Sequence, residues 1–155
     1  MKKYEEQFER VKRWYNRFFE ITFGMAHKRN TEFYQDEVYA FFINCYHLKD
    51  WIINEKSVKN KNKKQKLEDF INNNECMSLC ADICNGLKHL ELSRNIRTGI
   101  QPEFKDRKFE LELGGAEAKI VVKYNIITSK GNKDAFLLAT DCKEKWEEFI
   151  KNEIK

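Results

Sequence analysis

The chain has little that would interrupt a helix: among its 155 residues there is a single proline, Pro102, and 6 glycines. So few breakers leave room for long helices. No apolar run approaches the ~18 residues that cross a bilayer, so no transmembrane helix is expected. The opening "MKKYEEQFERVKRWY" has a basic pair but then Glu and Arg in place of an apolar h-region, so a secretory leader is not expected either, and the protein reads as cytoplasmic. There is no Gly-rich phosphate loop, no G-x-S-x-G and no H-E-x-x-H, which argues against a P-loop NTPase, an α/β hydrolase and a zincin. No large excess of one charge exists. Lys and Arg total 29 against 25 Asp and Glu, and the net charge of +4 permits a nucleic-acid partner without requiring one.

Cysteine is present but not in close pairs. Of the 5 cysteines, Cys76, Cys80 and Cys84 step by four along one helix face. Neighbours so spaced point the same way and are poorly placed to bond one another. They read as buried, reduced thiols of a cytosolic protein. A C-x-x-C knuckle is missing, so a cysteine metal site is not expected.

What the chain does have is aromatic and periodic. Aromatics make up 14% of residues, enough for a packed core, and 155 residues are the size of one domain. Tyr4, Phe8, Val11, Tyr15, Phe18, Thr22 and Met25 step by four and three, a helical stripe that Trp14, Phe19, Ile21 and Phe23 widen. A second helix should start at Thr31 and bury Tyr34, Val38, Phe41, Phe42, Cys45, Leu48 and Ile52. "KSVKNKNKKQK" is aperiodic and reads as a basic loop, "LEDFINNN" as a short helix, and Glu75 to His89 as a further helix. Beyond Ser93 the period changes to two. "KFELELGG" and "AKIVVKYNIIT" read as strands joined by a tight turn at Gly114 and Gly115. "SKGNKD" reads as another turn and "AFLLAT" as a third strand. Asp141, with Glu144 three residues on, is placed to begin a last helix. The expected fold is α-dominated α+β, in one domain: a helical core over about 1–95, then an antiparallel β-meander and closing helix over about 107–154.

Candidate chemistry centres on "ECMSLCADICNGLKHLELSRNIRTG", residues 75–99. On a helical wheel, Asp82, Asn85 and His89 fall opposite the apolar face of Leu79, Cys80, Ile83 and Leu87, with Lys88 on the flank nearer Cys84. Asp82, Asn85 and His89 can touch, and a carboxyl group near an imidazole raises its basicity and orients it as a general base. Gly86 leaves space for another backbone to approach. The same residues also make an ordinary solvated helix face. Asn44, His47 and Trp51, with Asp50 further round, form a second polar and aromatic seam on the second helix. His47, Asp50, Asp82 and His89 together offer nitrogen and carboxylate donors, but neither helix carries an E-x-x-H or H-x-x-x-H ligand pair, and no metal or other cofactor is expected. Arg94 and Arg97, just past His89, and the lysines 59, 61, 63, 64 and 66 are candidate phosphate contacts.

A helical core whose late helix carries a polar cluster and a histidine, followed by arginines, resembles the HEPN superfamily. "FFINCYHLKDWI" and "ADICNGLKHL" are also similar to small bacterial and prophage proteins of HEPN-like appearance. The resemblance covers roughly residues 1–95. It implies a helical domain, usually a homodimer, that binds or cuts RNA in defence, toxin–antitoxin or prophage systems. Active members carry R-x(4–6)-H, and the Arg and His of two protomers activate a ribose 2′-hydroxyl. Here His89 fits the histidine position and Asn85 and Lys88 the helper positions. No Arg precedes His89 at that spacing, so Arg94 and Arg97 would have to act from downstream. Two functions stay open. One is a domain acting on RNA or nucleotides, a metal-independent RNase in which His89 is acid/base, Asp82 or Asn85 orients it, and Lys88, Arg94 and Arg97 hold phosphate. The other is a non-catalytic prophage or defence interaction protein, or an antitoxin-like binder, using the same stripe as a protein–protein face.

Overall fold

A computed structural model describes residues 2–24, 27–58, 62–88, 96–112 and 119–154, and the backbone alone for 106, 107, 109–112, 119 and 120. His89, Arg94, Lys59, Lys61 and the Gly114–Gly115 turn lie outside the described residues. Helix α1, Lys3–Phe19, buries Tyr4, Phe8, Val11 and Phe18 from the expected stripe. The Glu5 side chain accepts from the Lys2 backbone N–H at 2.9 Å and closes its first turn. A π-helical turn, Glu20–Gly24, continues it and buries Ile21 and Thr22.

Helix α2, Thr31–Asn54, begins where the sequence places it. Asn30 caps it, its side chain accepting from the Phe33 N–H at 3.2 Å. Helix α3, Lys63–Asn73, starts inside the stretch that reads as a basic loop. Lys and Gln are good helix formers, and Leu67 and Ile71 one turn apart give the segment a buried stripe. Helix α4, Glu75–Lys88, packs against α2, α3 and the last helix. With neighbours on several sides, it buries the unbroken run from Met77 to Cys84 rather than a single face.

Three antiparallel strands follow in the order β1–β2–β3: Glu103–Glu112, Lys119–Thr128 and Gly131–Asp134. Central β2 pairs with β1 from Glu103 opposite Ile127 to Glu112 opposite Lys119, with a register shift between Phe104 and Asp106. The segment that reads as a third strand, "AFLLAT", is instead the start of helix α5, Ala135–Phe149, and β3 lies in the expected turn. A short apolar run does not distinguish strand from helix. The Asp134 side chain decides it by accepting from the N–H groups of Phe136 and Leu137 at 2.8 and 3.1 Å. That makes Asp134, not Asp141, the N-cap, and Leu138, Cys142, Trp146 and Phe149 then fall on one buried face. A second π turn, Ile150–Ile154, follows.

The described chain is therefore mostly helical, with a small antiparallel sheet. One apolar cluster joins the helices to the inner face of β2 through Val122, Tyr124 and Ile126. Phe18 meets Tyr124 edge-on at 6.2 Å, and Phe104 of β1 meets Tyr39 at 4.8 Å. The meander thus packs on the helices. Helix α5 is fastened at depth by Trp146, fully buried, whose indole N–H donates to the Cys45 carbonyl at 3.0 Å. No described helix is long and apolar enough to cross a membrane.

Candidate functional site

Asp82 sits on the side of α4 away from Cys80, as the wheel requires, yet it is fully buried. The segment 96–101 covers it. The Arg97 N–H donates to its two carboxyl oxygens at 3.1 and 3.0 Å. The Thr98 N–H and hydroxyl reach Oδ2 at 2.9 and 2.7 Å. A carboxyl group so engaged satisfies backbone donors of a loop that would otherwise be buried without partners. The loop is tied onward to the sheet, since the Ser129 hydroxyl donates to the Thr98 carbonyl at 2.8 Å. At Gly86 the close approach is made by a side chain and not a backbone: an added Cβ would lie 3.3 Å from the Gln101 amide nitrogen.

The side chain of Arg97 leaves this centre and runs back over α3. Its Nε donates to the Asn72 side chain at 3.0 Å, and its guanidinium pairs with Glu68 at 3.3 Å. Glu68 also holds Lys49 at 3.2 Å, and Lys49 donates to the Tyr46 hydroxyl at 2.8 Å. Burial works against the Lys49 ammonium, but Tyr46 and Glu68 outweigh it and raise its pKa. Arg97 therefore belongs to a Tyr46–Lys49–Glu68–Asn72 network. Asn85 is half-buried and Lys88 is exposed at the end of α4.

The seam on α2 divides. Asn44 and Trp51 face α1: Gln7 donates to the Asn44 carbonyl at 3.1 Å, and the Arg10 guanidinium lies 5.6 Å from the Trp51 ring. Asp50 is exposed and lines a groove with Trp51 and Lys3. His47 turns toward α4, where its Nε2 lies 3.8 Å from the Cys84 sulfur. This pairing links two helices and has no trace in sequence spacing. Burial pushes the Cys84 thiol up to about 11, so it is not an activated nucleophile. Among the described residues, His47, Asp50 and Asp82 do not gather round a point that could hold a metal.

A second convergence was also invisible in the spacing. Cys45 of α2, Cys80 of α4 and Cys142 of α5 bring their sulfurs within 4.8 Å of one another. All three are free thiols with no exposed surface. Cys80 donates to the Phe42 carbonyl at 3.5 Å and Cys142 to the Cys76 carbonyl at 3.2 Å. The i, i+4, i+8 series divides accordingly: Cys80 joins this group, Cys84 meets His47, and Cys76 is half-buried beside Cys142.

A third feature is apolar and exposed. Phe19 and Phe23, which the sequence places at the edge of the α1 stripe, are 49% and 39% exposed, and Leu137 is 64% exposed. Phe19, Phe23 and Phe136 pack with ring centres 5.1–5.9 Å apart. Phe136 in turn stacks on Tyr15 at 5.3 Å, which fixes the platform to the core.

No family model, curated protein or solved structure matches the chain.

Proposed function

We propose that the protein is a non-catalytic binding domain that engages a protein partner through the Phe19–Phe23–Phe136–Leu137 platform, in a reducing compartment such as the cytoplasm. The platform carries this reading. Aromatic rings gathered on a surface and braced from beneath are what an interface core needs, whereas isolated chains keep such patches small. The five free thiols accord with a reducing setting. The engagement of Asp82 by residues 97 and 98, and of Arg97 by Glu68 and Asn72, weighs in the same direction. Two residues of the catalytic hypothesis, Asp82 and Arg97, thus already have structural partners.

The test is a photo-crosslinking residue at position 137, in living cells, with and without Phe23→Asp. Protein adducts that disappear with Phe23→Asp are expected, and an adduct with a second copy of the chain would identify a homodimer. Adducts to nucleic acid alone, or none, would remove the reading.

The competing proposal is the HEPN-like one, a domain binding or cutting RNA or nucleotides. It draws on Asn85 and Lys88 at the solvent-reaching end of α4, directly before His89. Its test is labelled single-stranded RNA incubated with the protein and with His89→Ala, each with and without EDTA. Cleavage that survives EDTA and is lost in the variant would establish a metal-independent RNase in place of the binder.

A further inference from the structure

We propose that Cys45, Cys80 and Cys142 form a buried sulfur-only site for a thiophilic d10 metal ion of the copper(I) or zinc(II) class. Three donors come from three different helices, α2, α4 and α5, so the spacing of the sulfurs is held by the packing of the core. An ion bonded to sulfur at ~2.3 Å holds three such sulfurs ~4 Å apart in a trigonal arrangement. The observed separations, within 4.8 Å, need only sub-ångström adjustment to reach it. Soft thiolate donors select copper(I) and zinc over magnesium, calcium or manganese.

Binding an ion costs the sulfurs their protons. Burial pushes Cys80 and Cys142 upward. A bound cation would replace the shared protons, which leave to solvent. Cysteine ligates these ions as the thiolate, so three ionised sulfurs leave a net charge of about −2 around a monovalent ion and about −1 around a divalent one. Charge is costly in an apolar core, so the smaller net charge favours the divalent ion.

A route to the site would run through Cys76. A groove of about 560 Å³ lies between the α3–α4 junction and α5. Its walls carry more carboxylates than ammonium groups, among them Glu75, Asp141, Glu144 and Glu148 against Lys133 and Lys145. Such a wall attracts cations. Cys76 opens onto this groove and touches Cys142, so it can pass an ion from the surface to the three buried sulfurs.

The experiment uses the full chain, reduced and metal-free, without oxygen. Copper(I) and zinc(II) are titrated separately against a competing chelator. Thiolate-to-metal ultraviolet absorption, metal retained after gel filtration and the shift in Tm are read. One ion retained per chain and a raised Tm are expected for at least one of the two metals. Cys45→Ala and Cys142→Ala should each weaken retention by about tenfold or more, while Cys84→Ala should not. Circular dichroism of each apo variant, and a conservative Cys80→Ser, separate lost binding from lost folding. A folded wild type that retains neither ion overturns the proposal. So does retention unchanged in a folded Cys45→Ala, Cys142→Ala or Cys80→Ser. Slower loading with undiminished final retention in Cys76→Ser would support the route. Retention abolished by Cys76→Ser but kept by Cys45→Ala would place the metal elsewhere and sink the three-sulfur site.

Discussion

The two sides of α4 differ in how they use polar and polarisable groups. On one side Asp82 is surrounded by donors from a loop only a little further along the chain, residues 97 and 98. On the other, Cys80 meets sulfurs that come from α2 and α5, far away in sequence. The Asp82 side is a closed set: loop donors converge on both oxygens, and the outcome is a fastened loop. The Cys80 side is open, with three soft donors facing one another and weak hydrogen bonds among themselves and to carbonyls. A polar residue placed on a helix face by its spacing is thus no guide to chemistry until its partners are known. A residue that reads as core filling can gain chemistry from helices that the spacing never connects.

The largest effect comes from loosening α5, the element that brings the third sulfur. Trp146→Ala should cost about 3–5 kcal/mol in chemical denaturation, because it empties a fully buried position and removes the indole donor to the Cys45 carbonyl. Next comes the closed side. Asp82→Ala leaves the Arg97 and Thr98 amides without their acceptor and should cost about 2–4 kcal/mol, lowering Tm by roughly 5–15 °C. If Asp82→Ala were within a few tenths of a kcal/mol of wild type, the loop would not be held by this residue and the contrast would fail. Thr98→Val removes one hydroxyl bond of 2.7 Å and keeps the amides, so about 1–2 kcal/mol is expected.

The smallest effect is electrostatic. Lys133 and Lys130 hold the Glu75 carboxyl group below its ordinary range at the start of α4. The ion pairs contribute stability above the unfolded carboxyl pKa and lose it as pH falls through the lowered value. Both partners are well exposed, so the contribution is below ~1 kcal/mol. Comparing wild type with Glu75→Gln in denaturant between about pH 6 and about pH 3 should show the difference shrinking toward acid. A difference that grew toward acid would contradict these pairings.

Much of the architecture was legible in the sequence because it repeats locally. The α1 stripe, the start of α2 and the two longer strands follow from periods of 3.6 or two, whereas α4 buries Asp82 and exposes Leu87 against its expected face. The failures have local causes too. "AFLLAT" carries no period long enough to separate strand from helix, and the capping aspartate one residue before it outweighs the strand-like composition. The basic stretch hides a helix start because lysine serves loops and helices equally well. The site was less legible. Spacing placed Asp82 on the correct side of α4, but not under a loop, since that cover comes from residues 96–101. It also grouped Cys76, Cys80 and Cys84 by their shared helix. Packing regroups them by their neighbours, with Cys84 beside His47 and Cys80 beside Cys45 and Cys142.

The bond between the Trp146 indole and the Cys45 carbonyl has a consequence for how the chain is made. It joins positions 101 residues apart, so the centre of the core cannot close on the ribosome until α5 has emerged. Until α5 arrives, α2 and α4 present their apolar seam and two of the buried sulfurs to the medium around the nascent chain. A message cut short before residue 135 would leave that seam permanently uncovered, a ready target for chaperones and proteases.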